Sequence, residues 1–137
     1  MDSSHRMSPV NPTDLAPPRG YSHGIVGHGR LLFVSGQIGW TSKAEIVSDR
    51  FVDQFDQALA NVLLVVADAG GAAESLARLT IYVIDKAEYL GARREIGEKY
   101  RARMGTHYPA MTLVEVKSLL ENGAKVEIEA TALIADR

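Results

Sequence analysis

Apolar side chains between residues 51 and 69 recur at intervals of three and four, and this stripe constrains the fold more than any other sequence feature. Such spacing predicts an amphipathic helix with one buried face. Ser48 or Asp49 is predicted to cap its start, and Gly70-Gly71 to end it. A second layer must cover the apolar face. The stripe comprises Phe51, Phe55, Leu59, Val62, Leu63, Val66 and Ala69.

Strand-like segments supply that second layer. They are residues 21–26, 31–38, 79–84, 111–116 and 125–133. Gly27-His28-Gly29 separates the first two segments, and its glycines permit the positive φ of a turn, so we expect a β-hairpin here. The run Leu79 to Ile84 is rich in β-branched and aromatic residues, which favours a buried strand.

A second helix is expected after the third strand. Asp85 and Glu88 have the spacing of a capping box, and Gly105 is placed to end the helix. Its apolar positions are Tyr89, Ala92, Ile96, Tyr100 and Met104, and the basic residues predicted to face water are Arg93, Arg94, Lys99 and Arg101.

The last strand alternates between two faces. Val126, Ile128, Ala130 and Ala132 share one face, and Glu127, Glu129 and Thr131 share the other. The predicted order is ββαβαββ, an α+β fold with one mixed sheet and two helices on one face. The opposite face of the sheet would be uncovered in a monomer, so we expect self-association.

Composition limits the class of protein. The chain has 137 residues, enough for one domain, which we expect at residues 17–137 after a flexible segment, 1–16, whose first six residues need not be native. A net charge of −2 argues against a nucleic-acid partner. The absence of cysteine excludes disulfides, and without a membrane span or secretory signal we expect a cytoplasmic protein. The histidine spacing predicts no metal site, and no cofactor is expected.

Several motifs match a known family. Gly20-Tyr21-Ser22, the run LLFVSGQIG at residues 31–39, Gln57-Ala58 and Asn61-Val62 resemble segments of the RidA family, also called YjgF. Pro109-Ala110, LVEV at residues 113–116 and VEIEATA at residues 126–132 resemble its C-terminal motifs. The resemblance runs from about Pro18 to Leu133.

This resemblance implies a chorismate-mutase-like fold and a homotrimer whose sheets line a central barrel, with a cleft at each subunit interface. In the founding branch, this cleft hydrolyses 2-imino acids or their enamine tautomers to 2-oxo acids and ammonia. An arginine that binds the substrate carboxylate defines that branch, and Met111 stands in its position here. Because methionine offers only an apolar surface, we expect a substrate other than the standard 2-imino acid.

The resemblance also carries over candidate site residues. Glu127 matches the cleft glutamate and would activate water; the alternative is a surface or interface glutamate. Tyr21 matches a cleft tyrosine, with plain packing as its alternative. Arg19 could substitute for the missing arginine, or be a solvated loop residue. The other candidates for substrate binding are Ser35, Gly36, Gln37, Met111 and Leu113, with Gly36 alternatively required by a tight barrel interior.

Three functions remain open at this point. The first is a hydrolase or deaminase that acts on a small imine, enamine or related C=N compound. The second is a non-catalytic trimer that uses the same cleft to bind a small metabolite or to regulate a partner, and Met111 favours this hypothesis. The third is a nuclease or translation inhibitor, against which the acidic charge balance argues.

Overall fold

A computed structural model describes residues 7–136. The strands are β1 (Ser8–Val10), β2 (Gly24–Val26), β3 (Arg30–Ile38), β4 (Leu76–Val83), β5 (Ala110–Glu115) and β6 (Val126–Ile134). The helices are α1 (Phe51–Asp68), α2 (Lys86–Gly91) and α3 (Arg93–Met104), and a short 3₁₀ turn covers Ala73–Ser75. The α+β class predicted from the sequence is confirmed.

The main sheet is mixed and has the strand order β3-β6-β4-β5. Strand β6 pairs antiparallel with both β3 and β4, whereas β5 runs parallel to β4 along the edge. A crossover connection is needed between parallel neighbours, and the helices α2 and α3 provide it. The last strand of the chain therefore occupies the interior of the sheet.

The helices cover one face of this sheet. Five of the seven residues of the predicted stripe on α1 are buried, and Leu63 and Ala69 are partly buried. Leu59 and Val62 are fully buried and pack in one core with Ile128 and Leu79. Alternation along β6 also follows the prediction, since every second residue from Val126 to Ile134 is buried. Burial of this apolar surface stabilises the protomer.

A buried glutamine joins α1 to the start of β6. The Gln54 side chain donates to the carbonyls of Ser48 and Gly123 and accepts from the amide of Lys125 at 2.8 Å. The same helix holds the end of β3, because the Asn61 side chain donates to the carbonyls of Ile38 and Trp40. These contacts fix the strands that carry the candidate site.

The predicted hairpin is wrong. Strand β2 pairs with β1 in a separate ribbon, and β3 pairs with β6. Gly29 does adopt a positive φ of 142°, but the turn it makes sends β3 into a different sheet. Strand β1 itself lies within residues 1–16, where the sequence predicted no strand. Residues 1–6 lie outside the described part.

The predicted helix boundaries need two corrections. Neither Ser48 nor Asp49 caps α1: Arg50 is the N-cap residue, and the Ser48 hydroxyl donates to Asp53 instead. The second helix is interrupted at Ala92 and forms α2 and α3, although Asp85 does cap its start by accepting from the amide of Ala87.

The face of the sheet opposite the helices, here called the open face, carries the outward side chains of the four strands. It is partly apolar: Phe33 is 74% exposed and Leu31 62% exposed. The outward residues of β6, Glu127 and Glu129, lie between strands β3 and β4 on this face. Among residues 7–136, no helix is long and apolar enough to span a bilayer.

Candidate functional site

A β-bulge in β3 brings Ser35, Gly36 and Gln37 together next to the segment of β6 that carries Glu127. Val34 pairs with Ala130 but Gln37 pairs with Ile128, so β3 contains one residue more than β6 across this stretch. The Gln37 amide folds back and donates to the carbonyl and hydroxyl oxygens of Ser35. Bulges of this kind re-aim side chains and are common beside functional sites.

Glu127 lies directly against this bulge. A Cβ built on Gly36 would lie 2.7 Å from the carboxyl carbon of Glu127, and closer still to one of its oxygens. Glycine at this position leaves the space above it free for the Glu127 side chain. Four of the predicted site residues, Glu127 and the three residues of the bulge, form one cluster.

A second carboxylate on the open face is paired, unlike Glu127. The Tyr82 hydroxyl donates to Glu129, and this hydrogen bond raises the pKa of the Tyr82 phenol. Among the described side chains, none donates a hydrogen bond or forms an ion pair with Glu127. Alternation along β6 predicted that Glu129 shares a face with Glu127. Tyr82 was not predicted, although alternation along β4 places it on this face.

Met111 and Leu113 lie on the other side of the sheet. They pair with Leu79 and Ile81 of β4, whose side chains are buried under the helices. Both pack against the hydrophobic core, and Met111 also lines a cavity of about 330 Å³ beneath α3. One protomer therefore does not bring Met111 and Leu113 together with Glu127.

Arg19 and Tyr21 lie near the edge strand β5. The intervening Gly20 has a φ of 77° and lines the same cavity as Met111. Ser22 anchors this segment, since its amide donates to the carbonyl of Pro109 and its hydroxyl to that of Tyr108. Tyr21 packs edge-on against His23, and Arg19 is exposed.

Histidine chemistry is restricted by local contacts. A ring nitrogen of His23 lies 2.7 Å from the carbonyl oxygen of Ala16, and one of His107 lies 2.7 Å from that of Leu76. Within residues 7–136, no three His, Asp or Glu side chains are grouped closely enough to hold a metal ion.

The comparisons with known proteins agree with this architecture. A four-stranded mixed sheet with its helices on one side, and a glutamate packed on a glycine bulge, define an α+β protein of the Rid type. The family model described as Endoribonuclease L-PSP matches residues 12–134, and the chain belongs to this family, the RidA/YjgF family.

Relatives and solved structures match over nearly the whole chain. RutC family protein y4sK of Sinorhizobium fredii is 34% identical over 90% of this chain and 95% of its own length. A RutC family protein of Aquifex aeolicus is 33% identical over 92% and 95%. The crystal structure of the Rid-family protein YyfB from Yersinia pestis, described as of unknown function, has a TM-score of 0.84 at 28% identity over 94% and 99%.

Proposed function

We propose that this protein is a Rid-like hydrolase or deaminase that acts on a small imine, enamine or related C=N metabolite. Its sites would be clefts between the subunits of a homotrimer, with Glu127 as the residue that activates water. The observation that carries the proposal is the contact between Glu127 and Gly36. It joins two segments that resemble the family's motifs into one surface around a free carboxylate.

The proposed reaction is a hydrolysis in which Glu127 handles the proton. Its carboxylate accepts a proton from water as the oxygen bonds to the imine carbon, and the C=N electron pair moves to nitrogen. The nitrogen then takes up the proton held by Glu127 and a second proton from water. As the C–N bond breaks, the hydroxyl of the adduct gives up its proton to water, and a carbonyl compound and ammonia leave. General base catalysis of this kind contributes roughly 10²–10⁴-fold to a rate.

The proposed homotrimer follows from the separation of the candidate residues. Met111 and Glu127 lie on opposite faces of one sheet, so a cleft that contains both needs a second copy of the chain. The exposed apolar side chains Leu31 and Phe33 lie on the same open face, on the strand next to the one that carries Glu127. A patch of this composition is typical of an association surface.

Met111 argues against a 2-imino acid as the natural substrate. A methionine cannot supply the two parallel hydrogen bonds by which an arginine binds a carboxylate. We therefore propose a substrate without a carboxylate beside its C=N group.

RNA is not the substrate we propose, although the family description names an endoribonuclease. The net charge of −2 gives little attraction for phosphate. The ring contacts of His23 and His107 with carbonyl oxygens also reduce their availability for acid–base catalysis.

The test is the rate of hydrolysis of freshly generated imines: 2-iminopropanoate, 2-iminobutanoate, and the neutral imine of a small ketone. We expect turnover of the neutral imine, and a loss of about 10²-fold or more in Glu127→Gln with the oligomer intact. Glu121→Gln, a change at an exposed loop glutamate, is the matched control and should leave turnover unchanged.

Met111→Arg tests the specificity part of the proposal. We expect this variant to gain activity on the two 2-imino acids, because it restores a bidentate partner for their carboxylate. A folded trimer whose turnover is the same with and without Glu127→Gln would contradict the catalytic role. Binding of these compounds without product formation would instead favour a metabolite-binding protein.

A further inference from the structure

The two glutamates of β6 share the open face but have different surroundings. Glu127 and Glu129 are two residues apart in one strand, which places their Cα atoms roughly 7 Å from each other. Two carboxylates that share a site repel each other, and one proton held between them relieves the repulsion. A glutamate that shares a proton with its neighbour is a poorer acceptor for a proton from water. A glutamate that activates water therefore needs the neighbouring carboxylate to be held elsewhere.

Tyr82 of β4 holds the second carboxylate. In the register of β4 and β6, Tyr82 lies directly opposite Glu127, whereas Thr80 lies opposite Glu129. The Tyr82 hydroxyl nevertheless donates to Glu129. Diagonal neighbours in an antiparallel pair are about 7–8 Å apart, a distance that an aromatic side chain can bridge. The Tyr82 side chain therefore extends along the open face from the position opposite Glu127 to the carboxylate of Glu129.

The electrostatics agree with a hydroxyl that lies close to both carboxylates. The hydrogen bond to Glu129 is the main reason why the pKa of the Tyr82 phenol is raised, and the negative charge of Glu127 raises it further. A phenol whose pKa is raised keeps its proton near neutral pH and remains a hydrogen-bond donor. The donor that binds Glu129 is therefore retained near neutral pH.

Glu127 is bordered on its other side by the bulge of β3. A Cβ on Gly36 would lie 2.7 Å from the carboxyl carbon of Glu127, so this carboxyl group extends over the glycine. The side-chain amide of Gln37, also in the bulge, is turned back onto Ser35. Gln37 and Tyr82, on the two neighbouring strands, thus direct their donors to other acceptors. The Glu127 carboxylate is left available to a water molecule.

We propose that Tyr82 is a positioning residue for Glu127: by binding Glu129, it keeps the second carboxylate from sharing a proton with the first. This role is exerted through Glu129 and needs no contact between Tyr82 and the substrate. It rests on the proposed function, because it concerns the glutamate that activates water there. Its chemical consequence is that only one of the two glutamates, Glu127, accepts the proton of water.

The experiment measures kcat and KM for hydrolysis of the neutral imine of a small ketone. Tyr82→Phe keeps the aromatic ring and removes the donor, so Glu129 is released to share a proton with Glu127. We expect kcat to fall about tenfold, the equivalent of one hydrogen bond to a charged group, and KM to stay unchanged. A loss confined to kcat indicates that the chemical step is affected and that substrate binding is not.

A second variant separates positioning from a structural role. Tyr82→Phe combined with Glu129→Gln also lacks the hydroxyl, but the new amide cannot share a proton with Glu127. We expect this double variant to recover most of the native kcat, whereas damage to the fold by Tyr82→Phe would persist in it. Thr112→Val is the matched control, because it removes a hydroxyl from an exposed position of β5 and should leave kcat unchanged.

Three results would overturn the role of Tyr82. They are a native kcat in Tyr82→Phe, a double variant no faster than Tyr82→Phe, and a loss in Thr112→Val as large as that in Tyr82→Phe. Failure of the proposed function gives a different result, since the native protein then lacks turnover or Glu127→Gln keeps it, and both proposals fall. Turnover that Glu127→Gln abolishes and Tyr82→Phe preserves overturns only the role of Tyr82.

Discussion

The two faces of the main sheet obey different rules. On the helix-covered face the side chains of β6, among them Ile128 and Ala132, are fully buried. On the open face, the same strand carries Glu127 and Glu129, and the neighbouring strand β3 carries the exposed Phe33. The stability of the protomer explains the buried apolar residues on the helix-covered face. It does not explain the glutamates and the exposed phenylalanine on the open face. The open face is therefore where association and chemistry are to be sought.

The largest expected effect is on the helix-covered face. Ile128→Ala removes a fully buried side chain and should lower the free energy of unfolding by about 2–5 kcal/mol. Thr112→Ala, on the exposed side of β5, should cost about 1 kcal/mol or less. Urea denaturation of both variants measures the contrast, and equal losses would abolish the distinction between the faces.

The contact between Gly36 and the Glu127 side chain allows the open face to be tested by its effect on the free energy of unfolding. Gly36→Ala should cost about 0.5–1.5 kcal/mol, because the new methyl group forces the end of the Glu127 side chain out of its position. Glu127→Ala in the same chain should remove most of that cost, so the two changes should be strongly non-additive. Gly91→Ala is the control, since nothing lies within 4 Å of a Cβ there. Additive effects of Gly36→Ala and Glu127→Ala in denaturation would show that the contact is unimportant.

Phe33→Ser separates association from folding. Phe33 is 74% exposed, so this change should alter the stability of an isolated protomer by no more than about 0.5 kcal/mol. We nevertheless expect it to disrupt the proposed trimer, which light scattering coupled to size-exclusion chromatography measures. Leu120→Ser, at a fully exposed loop residue, should leave the mass unchanged. An unchanged oligomer in Phe33→Ser would exclude this part of the open face from the interface.

The smallest expected effect concerns an ion pair between α1 and α3. The hydrogen bond from Arg103 lowers the pKa of Asp56, so this pair stabilises the fold above the carboxyl's unfolded pKa, about 3.9. Asp56→Asn should cost less than about 1 kcal/mol near neutral pH. The difference from the native protein should shrink as the pH falls through the lowered pKa of Asp56. A denaturation series from pH 7 to pH 2 tests this, with Asp14→Asn as the exposed control; a difference that grows in acid would contradict it.

Local patterns predicted the parts of the fold that local physics determines. The stripe on α1 and the alternation along β6 identified the buried residues, because helix and strand periods fix which side chains share a face. The hairpin prediction failed because a glycine turn indicates that the chain changes direction but does not indicate which strand pairs with which. β3 pairs with β6 at the other end of the chain, and no nearby residue encodes that choice.

The candidate site was predicted only as separate pieces. The resemblance identified Glu127 and Gly36, but their contact depends on the bulge in β3. Arg93 and Arg101 are exposed, as the helix pattern predicted, but that pattern did not show that both also line a cavity. The cavity is also lined by Met111 of a later strand, which a pattern along one helix does not contain.

The interior position of β6 in the sheet also affects how the chain folds during translation. During synthesis, β3 and β4 leave the ribosome before β6, the strand that lies between them, exists. Until then the apolar residues of α1 have only part of their sheet to cover them. Sheets closed by such distant segments fold slowly and expose unpaired edges meanwhile. For this chain, the protomer can complete its core only after nearly all of its residues have been translated.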